Sequence, residues 1–132
     1  MTPETPRWSI APYFFVTDVV AAANFYRDKL GFTYERLWGE PPCFCIVNRN
    51  GAELMLSLVE DSAIVRPNRG GNPESGAWDA YIWVPDVTAL HDELVAKGVT
   101  ITKGLSDRIY NNREFEIDDC NGYRLCFGQD LG

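Results

Sequence analysis

One pattern is written twice in this chain. "FVTDVVAAANFYRDKLGF" at residues 15–32 returns as "WVPDVTALHDELVAKGV" at residues 83–99. Val16-Thr17-Asp18-Val19 matches Val84-Pro85-Asp86-Val87 at an offset of 68, Gly31-Phe32 matches Gly98-Val99 at 67, and Asn50-Gly51 matches Asn121-Gly122 at 71. Landmarks in one order at a nearly constant offset identify an internal duplication. Any fold for this chain has to be built from two copies of one unit.

Each copy reads alike. A strand (about 10–17, then 79–84) is followed by an aspartate, Asp18 or Asp86, placed to accept the free amide hydrogens of a helix's first turn. Ala22, Phe25, Tyr26 and Leu30 then share one helical stripe, as do Val87, Leu90 and Leu94. Gly31 and Gly98 end the helices in the left-handed conformation that glycine tolerates, and Lys29 and Lys97 in the last turns suit the dipole. Strands follow at about 33–38, 43–48 and 53–59 in the first copy, and 99–103, 113–118 and 123–128 in the second, with Asn-Gly in the last hairpin of each. The expected class is α+β, two βαβββ modules forming a curled mixed sheet with a concave cleft. Each four-stranded sheet takes its own helix on one face. The other faces curl towards each other or towards a second chain. Within a single domain over 1–132, the modules are expected at 8–60 and 77–130. The Gly-, Pro-, Asn- and Ser-rich stretch 61–76 joins them as a connector able to fold over the concave side.

The 132 residues suffice for a real core, and the net charge of −7 argues against nucleic acid, whose phosphates need clustered Lys and Arg. Met1–Ser9 does not resemble a signal peptide, and no apolar run approaches a membrane span. The cysteines at 43, 45, 120 and 126 form no CxxC, so reduced thiols in a cytoplasmic protein are expected.

The stretches "VTDVVAAANFYRDKLGF", "WVPDVTALHDELVAKG" and "REFEIDDCNGYRLCF" resemble the vicinal oxygen chelate superfamily, which includes glyoxalase I, extradiol dioxygenases, and fosfomycin- and bleomycin-resistance proteins. With the repeat, the resemblance runs from about residue 8 to 129. It implies the glyoxalase/bleomycin-resistance/dioxygenase fold. Enzymes of the superfamily hold a divalent cation at two positions per module, and these correspond here to Ala11, Met55, Asp79 and Cys126. Alanine offers no donor, methionine a soft thioether, and an aspartate with a cysteine is a mismatched remainder. No metal, no cofactor and no catalytic residue is therefore expected. The single histidine, His91, lies on the shoulder of the second helix's stripe and is expected to be half-buried and hydrogen-bonded.

Strand alternation sorts the remaining side chains. Phe14, Val16, Leu54, Leu56, Leu58, Ile82, Val84, Phe115, Ile117, Leu125 and Phe127 form a uniformly apolar face, the expected core under the helices. The opposite parity gives Tyr13, Phe15, Ser57, Asp79, Tyr81, Trp83, Glu116 and Arg124, with Trp38, Trp78 and Tyr110 able to rim the opening. Trp8 is read as a rim residue or an anchor for the N-terminal arm. A three-residue loop at Cys120-Asn121-Gly122 keeps both faces of the last hairpin consistent. The same loop at Arg49-Asn50-Gly51 turns Cys43 and Cys45 to the cleft, and a two-residue loop turns them to the core.

The ligand-binding set is thus Tyr13, Phe15, Trp38, Ser57, Asp79, Tyr81, Trp83, Tyr110, Glu116 and Arg124. Rings supply stacking and cation–π surface, and carboxylates supply counter-charge. The resemblance is closest to the bleomycin-resistance branch. It implies a homodimer that sequesters a cationic or aromatic drug in clefts across the interface, a form of antibiotic resistance without bond breaking. The rival expectation is a metal-dependent lyase or dioxygenase with an altered metal site. A third is an interaction module whose aromatic face is only a dimer interface.

Overall fold

The computed structural model describes residues 5–72 and 74–132, so the start of the N-terminal stretch and Pro73 of the connector lie outside the described residues. The chain runs β1 (Tyr13–Val16), α1 (Val19–Leu30), β2 (Leu37–Trp38), β3 (Phe44–Arg49), β4 (Ala52–Leu58), a 3-10 turn (Ser62–Ile64), β5 (Ala80–Trp83), α2 (Val87–Ala96), β6 (Ile101–Asp107), β7 (Asn112–Asp118) and β8 (Arg124–Asp130). The two modules make two four-stranded sheets, ordered β1-β4-β3-β2 and β5-β8-β7-β6. In each, the first strand pairs parallel with the last and the others run antiparallel. A parallel pair needs a crossover, and each module's helix provides it.

The caps form as the residue types require. The Asp18 carboxylate accepts from the Ala21 amide and Asp86 from the Ala89 amide, at 2.9 and 3.0 Å. Gly31 and Gly98 adopt φ of 73° and 79°. The helix ends are also sealed from outside their own helices. Arg49 of β3 donates to the Leu30 carbonyl at 2.8 Å, and Lys29 donates to the Lys97 carbonyl of the other module at 3.0 Å. A side chain at position 31 would meet the tip of the Arg49 guanidinium at 2.6 Å and push it from its contacts, while the left-handed φ itself calls for glycine.

One core joins both modules. Val19, Ala22, Ala23, Tyr26 and Leu30 of α1 and Val87 and Leu94 of α2 are buried with Phe14, Val16, Leu54, Leu56, Phe115, Ile117, Leu125 and Phe127 from the strands. The seam is specific. Tyr26 donates to Asp119 of the β7–β8 turn at 2.5 Å, Tyr123 stacks on Phe14 at 4.1 Å between ring centres, and the Tyr123 hydroxyl donates to the Phe15 carbonyl at 2.7 Å. Arg49 forks onto Glu93 of α2 at 2.7 and 2.9 Å. His91 packs edge-on against Phe115 and meets Asp92 at 3.0 Å, the half-buried structural role expected.

Two points that the sequence leaves open are decided by the structure. Asn50 and Gly51 form a two-residue turn, with φ of 52° and 93°, that pairs Arg49 with Ala52. The shorter loop shifts β3 by one residue relative to the three-residue alternative, so Cys45 and Val47 enter the core and Phe44 and Ile46 turn outwards. Trp8 is no anchor within its own chain, because it is 98% exposed. No helix among the described residues is long and apolar enough to cross a membrane.

Candidate functional site

The face of the second sheet away from α2 carries a polar lattice beside a row of rings. Strand register places Tyr81, Cys126, Glu116 and Lys103 side by side across β5, β8, β7 and β6. The next row holds Trp83, Gly128, Glu114 and Ser106. Tyr81 leaves its own row. Its hydroxyl crosses Gly128 to donate to Glu114 at 2.8 Å, and a Cβ on residue 128 would lie 1.7 Å from that oxygen. Tyr110, from the β6–β7 turn, donates to the other Glu114 oxygen at 2.7 Å, and Asn112 donates to the Tyr81 hydroxyl at 3.0 Å. Glu114 is buried, with Arg108 at 3.8 Å. Burial, then the bond to Glu114, pushes the Tyr110 hydroxyl up to about 12 and raises Tyr81 further, so both remain donors at physiological pH. Desolvation and the nearby glutamates raise the buried Cys126 thiol well above its ordinary value, which makes it a poor nucleophile.

Glu116 is different. It is 5% exposed, accepts no hydrogen bond from the described residues, and has Lys103 and Arg124 each at 4.0 Å. Arg124 is engaged elsewhere. It holds Asp118 at 3.0 and 3.4 Å and donates to the Ser75 carbonyl at 3.2 Å. Asp79 is engaged too, accepting from the backbone amides of Asn68 and Arg124, each at 2.7 Å. With the Arg69–Asp118 pair at 2.8 Å, these contacts fasten the connector across one end of the second sheet's open face.

The open face of the first sheet is less polar. Tyr13 donates to Ser57 at 2.7 Å, and Tyr13, Phe15, Phe44 and Trp38 form a chain of ring contacts with centres 5.6–6.4 Å apart. Arg36 lies 4.4 Å over Trp38 and covers part of that ring. On the second sheet, Trp78, Tyr81 and Trp83 stand 5.1 and 4.9 Å apart in succession.

The ten residues singled out from the sequence therefore fall into two groups. Tyr13, Phe15, Trp38 and Ser57 sit together on the first sheet. Asp79, Tyr81, Trp83, Tyr110, Glu116 and Arg124 sit on the second. Seam contacts among α1, α2, β1 and the β7–β8 turn join the modules, and each aromatic group keeps to its own sheet. Glu114, Lys103 and Phe44 were not in the expected set. Glu114 shares the parity of Glu116 two residues on, so alternation along β7 contained that signal. Lys103 sits in a strand whose bulges break the alternation, and Phe44 joins the open face only with the two-residue turn, one of the two loop lengths the sequence allows.

Residues 9–127 match the family described as Glyoxalase/Bleomycin resistance protein/Dioxygenase superfamily. The chain belongs to this superfamily. Among solved structures, it is similar to the bleomycin-binding protein from bleomycin-producing Streptomyces verticillus complexed with copper(II)-bleomycin, at 23% identity and TM-score 0.67, covering 98% of this chain and 99% of that one. A glyoxalase/bleomycin resistance protein/dioxygenase from Alicyclobacillus acidocaldarius gives TM-score 0.73 at 19% identity, covering 94% and 92%. Lactoylglutathione lyase from Agrobacterium tumefaciens gives 0.67 at 18%, covering 95% and 96%. No curated protein matches the chain. At these identities the likeness establishes the fold.

The superfamily's metal positions do not fit a cation in this member. Asp79 spends its oxygens on backbone amides, Cys126 is a buried thiol held in its protonated form, and Ala11 and Met55 add no hard donor. Among the described residues no group of three His, Cys, Asp or Glu side chains stands close enough to hold a metal ion.

Proposed function

We propose that this superfamily member captures a small aromatic molecule, without breaking bonds, in a cleft formed when a second copy brings the open face of one sheet against that of the other. The observation that carries this reading is the pair of uncovered ring arrays, in which Tyr13 is 54% and Trp83 62% exposed while their neighbours are already oriented by side-chain contacts. Rings held side by side offer a stacking surface at little entropic cost, because the platform is ordered before the ligand arrives. Bleomycin-type ligands are natural first candidates, given the likeness to the bleomycin-binding protein. Counter-charge is a weaker part of the reading than the sequence suggested, because Asp79 is satisfied by amides and Glu116 has Lys103 and Arg124 each at 4.0 Å.

Tryptophan fluorescence titration with metal-free bleomycin and a panel of planar heteroaromatics tests this. Saturable quenching is expected, weakened about tenfold or more by Trp83→Ala, the loss ordinarily seen on truncating an aromatic anchor. No saturable response across the panel, or full retention of binding in Trp83→Ala, would remove the proposal.

A further inference from the structure

Resting on that reading of the second sheet's open face, we infer that the Glu116–Lys103 pair recognises a neutral head group carrying both an N–H donor and a carbonyl acceptor, a primary carboxamide or its cyclic equivalent, rather than a cation. Glu116 is nine-tenths buried on the floor of the face, yet no described residue donates a hydrogen bond to it. No fully buried side-chain oxygen among the described residues lacks a partner, so the Glu116 oxygens are the part of this side chain that reaches the open face, where an incoming group can complete their hydrogen bonds.

The neighbours decide the chemistry of that group. Lys103 Nζ stands 4.0 Å from one Glu116 oxygen, too far for a hydrogen bond, and donates to no described residue. Arg124 stands 4.0 Å from the other oxygen with its own hydrogen bonds given to Asp118 and Ser75. An ammonium or amidinium entering here meets the Glu116 charge and two cations at a similar range, so its electrostatic gain largely cancels. An anion meets Glu116 itself. A carboxamide avoids both penalties, its N–H reaching Glu116 and its oxygen accepting from Lys103. The mixed pair therefore selects by donor and acceptor pattern instead of by net charge.

The rings are placed to hold the rest of the molecule. Tyr81 begins the row that ends at Lys103, with Trp83 one step along β5 and 4.9 Å away ring to ring. Because Tyr81 is drawn aside over Gly128 to Glu114, it leaves the floor above Glu116 without a hydroxyl of its own.

Three probes sharing one ring system separate the possibilities: 2-naphthamide (neutral), 2-naphthamidine (cationic) and 2-naphthoate (anionic), each titrated into the full chain with tryptophan fluorescence and residue-resolved NMR as readouts. The naphthamide is expected to bind about tenfold or more tighter than either charged probe, with shifts centred on Glu116 and Lys103. Glu116→Gln should lose about tenfold for the naphthamide, and Lys103→Met a smaller factor of about three to five. If Glu116→Gln fails to fold, the charge-series ranking in the native chain and Lys103→Met still decide. Equal binding of all three probes, or tightest binding of the naphthamidine, overturns the head-group inference and leaves the aromatic site standing. Absence of any perturbation at Trp83 and Tyr81 overturns both.

Discussion

At the level of single residues, this chain makes its polar contacts with few atoms to spare, and Asp119 shows the cost. Its carboxylate is buried at the module seam, where Tyr26 donates to one oxygen at 2.5 Å and the amides of Asn121 and Tyr123 donate to the other at 2.8 and 2.9 Å. Those donors support the charged form, yet burial outweighs them, with Asp79 adding to it, and raises the group to about 6. A raised value means that the native chain holds this proton more tightly than the unfolded chain, whose aspartates titrate near 3.9. The resulting stability is fully present below pH ~4 and is lost as pH rises through ~6, amounting to about 3 kcal/mol. Glu93, held low by Arg49, acts with the opposite sign in a different window, its contribution fading as pH falls through its lowered value. Asp119→Asn is therefore expected to flatten the fall in unfolding free energy between about pH 4 and 6, measured as urea midpoints across that range. An unchanged slope in the variant would mean that Asp119 titrates normally. Nothing in the sequence marked this aspartate, since its role depends on a tyrosine on the other module, 93 residues away.

At the level of elements, the duplication made nearly everything legible. Both caps, both helix stripes, both glycine ends and the apolar face of each sheet are where alternation and the 3.6-residue period place them. What alternation left open or missed lies where chain geometry departs from strict periodicity. The sides of β3 stayed open in the sequence because hairpin loop length is not fixed by the Asn-Gly dipeptide alone, and the two-residue turn puts Cys45 and Val47 in the core. Bulges in β6 broke the register that would have exposed Lys103 as a cleft residue, and β2 shrank to Leu37–Trp38 with a lone bridge from Thr33 to Asn48. The division of faces gives a sharp test. Leu94, fully buried on α2, should cost about 2–5 kcal/mol when truncated to alanine, because a cavity replaces packed methyls. Trp83→Ala, on the opposite side of its sheet and mostly exposed, should cost about 1 kcal/mol or less. Chemical denaturation of both variants checks this, and a reversed ranking would mean that α2 lies on the wrong face.

At the level of the whole molecule, the seam determines what the chain can do alone. Because the modules are held together by α1, α2, β1 and the β7–β8 turn, the ring array of the first sheet and the polar, ring-edged face of the second remain separate faces, and under the proposed function each supplies half of a cleft. One half offers rings with Tyr13 tied to Ser57, and the other offers Glu116, Lys103 and the Trp78–Tyr81–Trp83 row. Opposing unlike halves across a two-fold axis yields two equivalent clefts and covers aromatic surface that a lone chain leaves in water. Sedimentation velocity is expected to give a dimer at micromolar concentration. A stronger test uses complementation. Tyr13→Ala damages one half of each cleft and Trp83→Ala the other, so either homodimer should bind a fluorescent aromatic probe poorly. In a mixed dimer of the two variants, one cleft collects both damaged halves and the other collects both intact ones. Random exchange makes about half the dimers mixed, so about a quarter of all clefts should regain native affinity. Recovery of that fraction after mixing and equilibration identifies a cleft shared between chains. If mixing restores nothing while both variants remain folded and dimeric, each site lies within one chain, and the two faces do not meet across the interface.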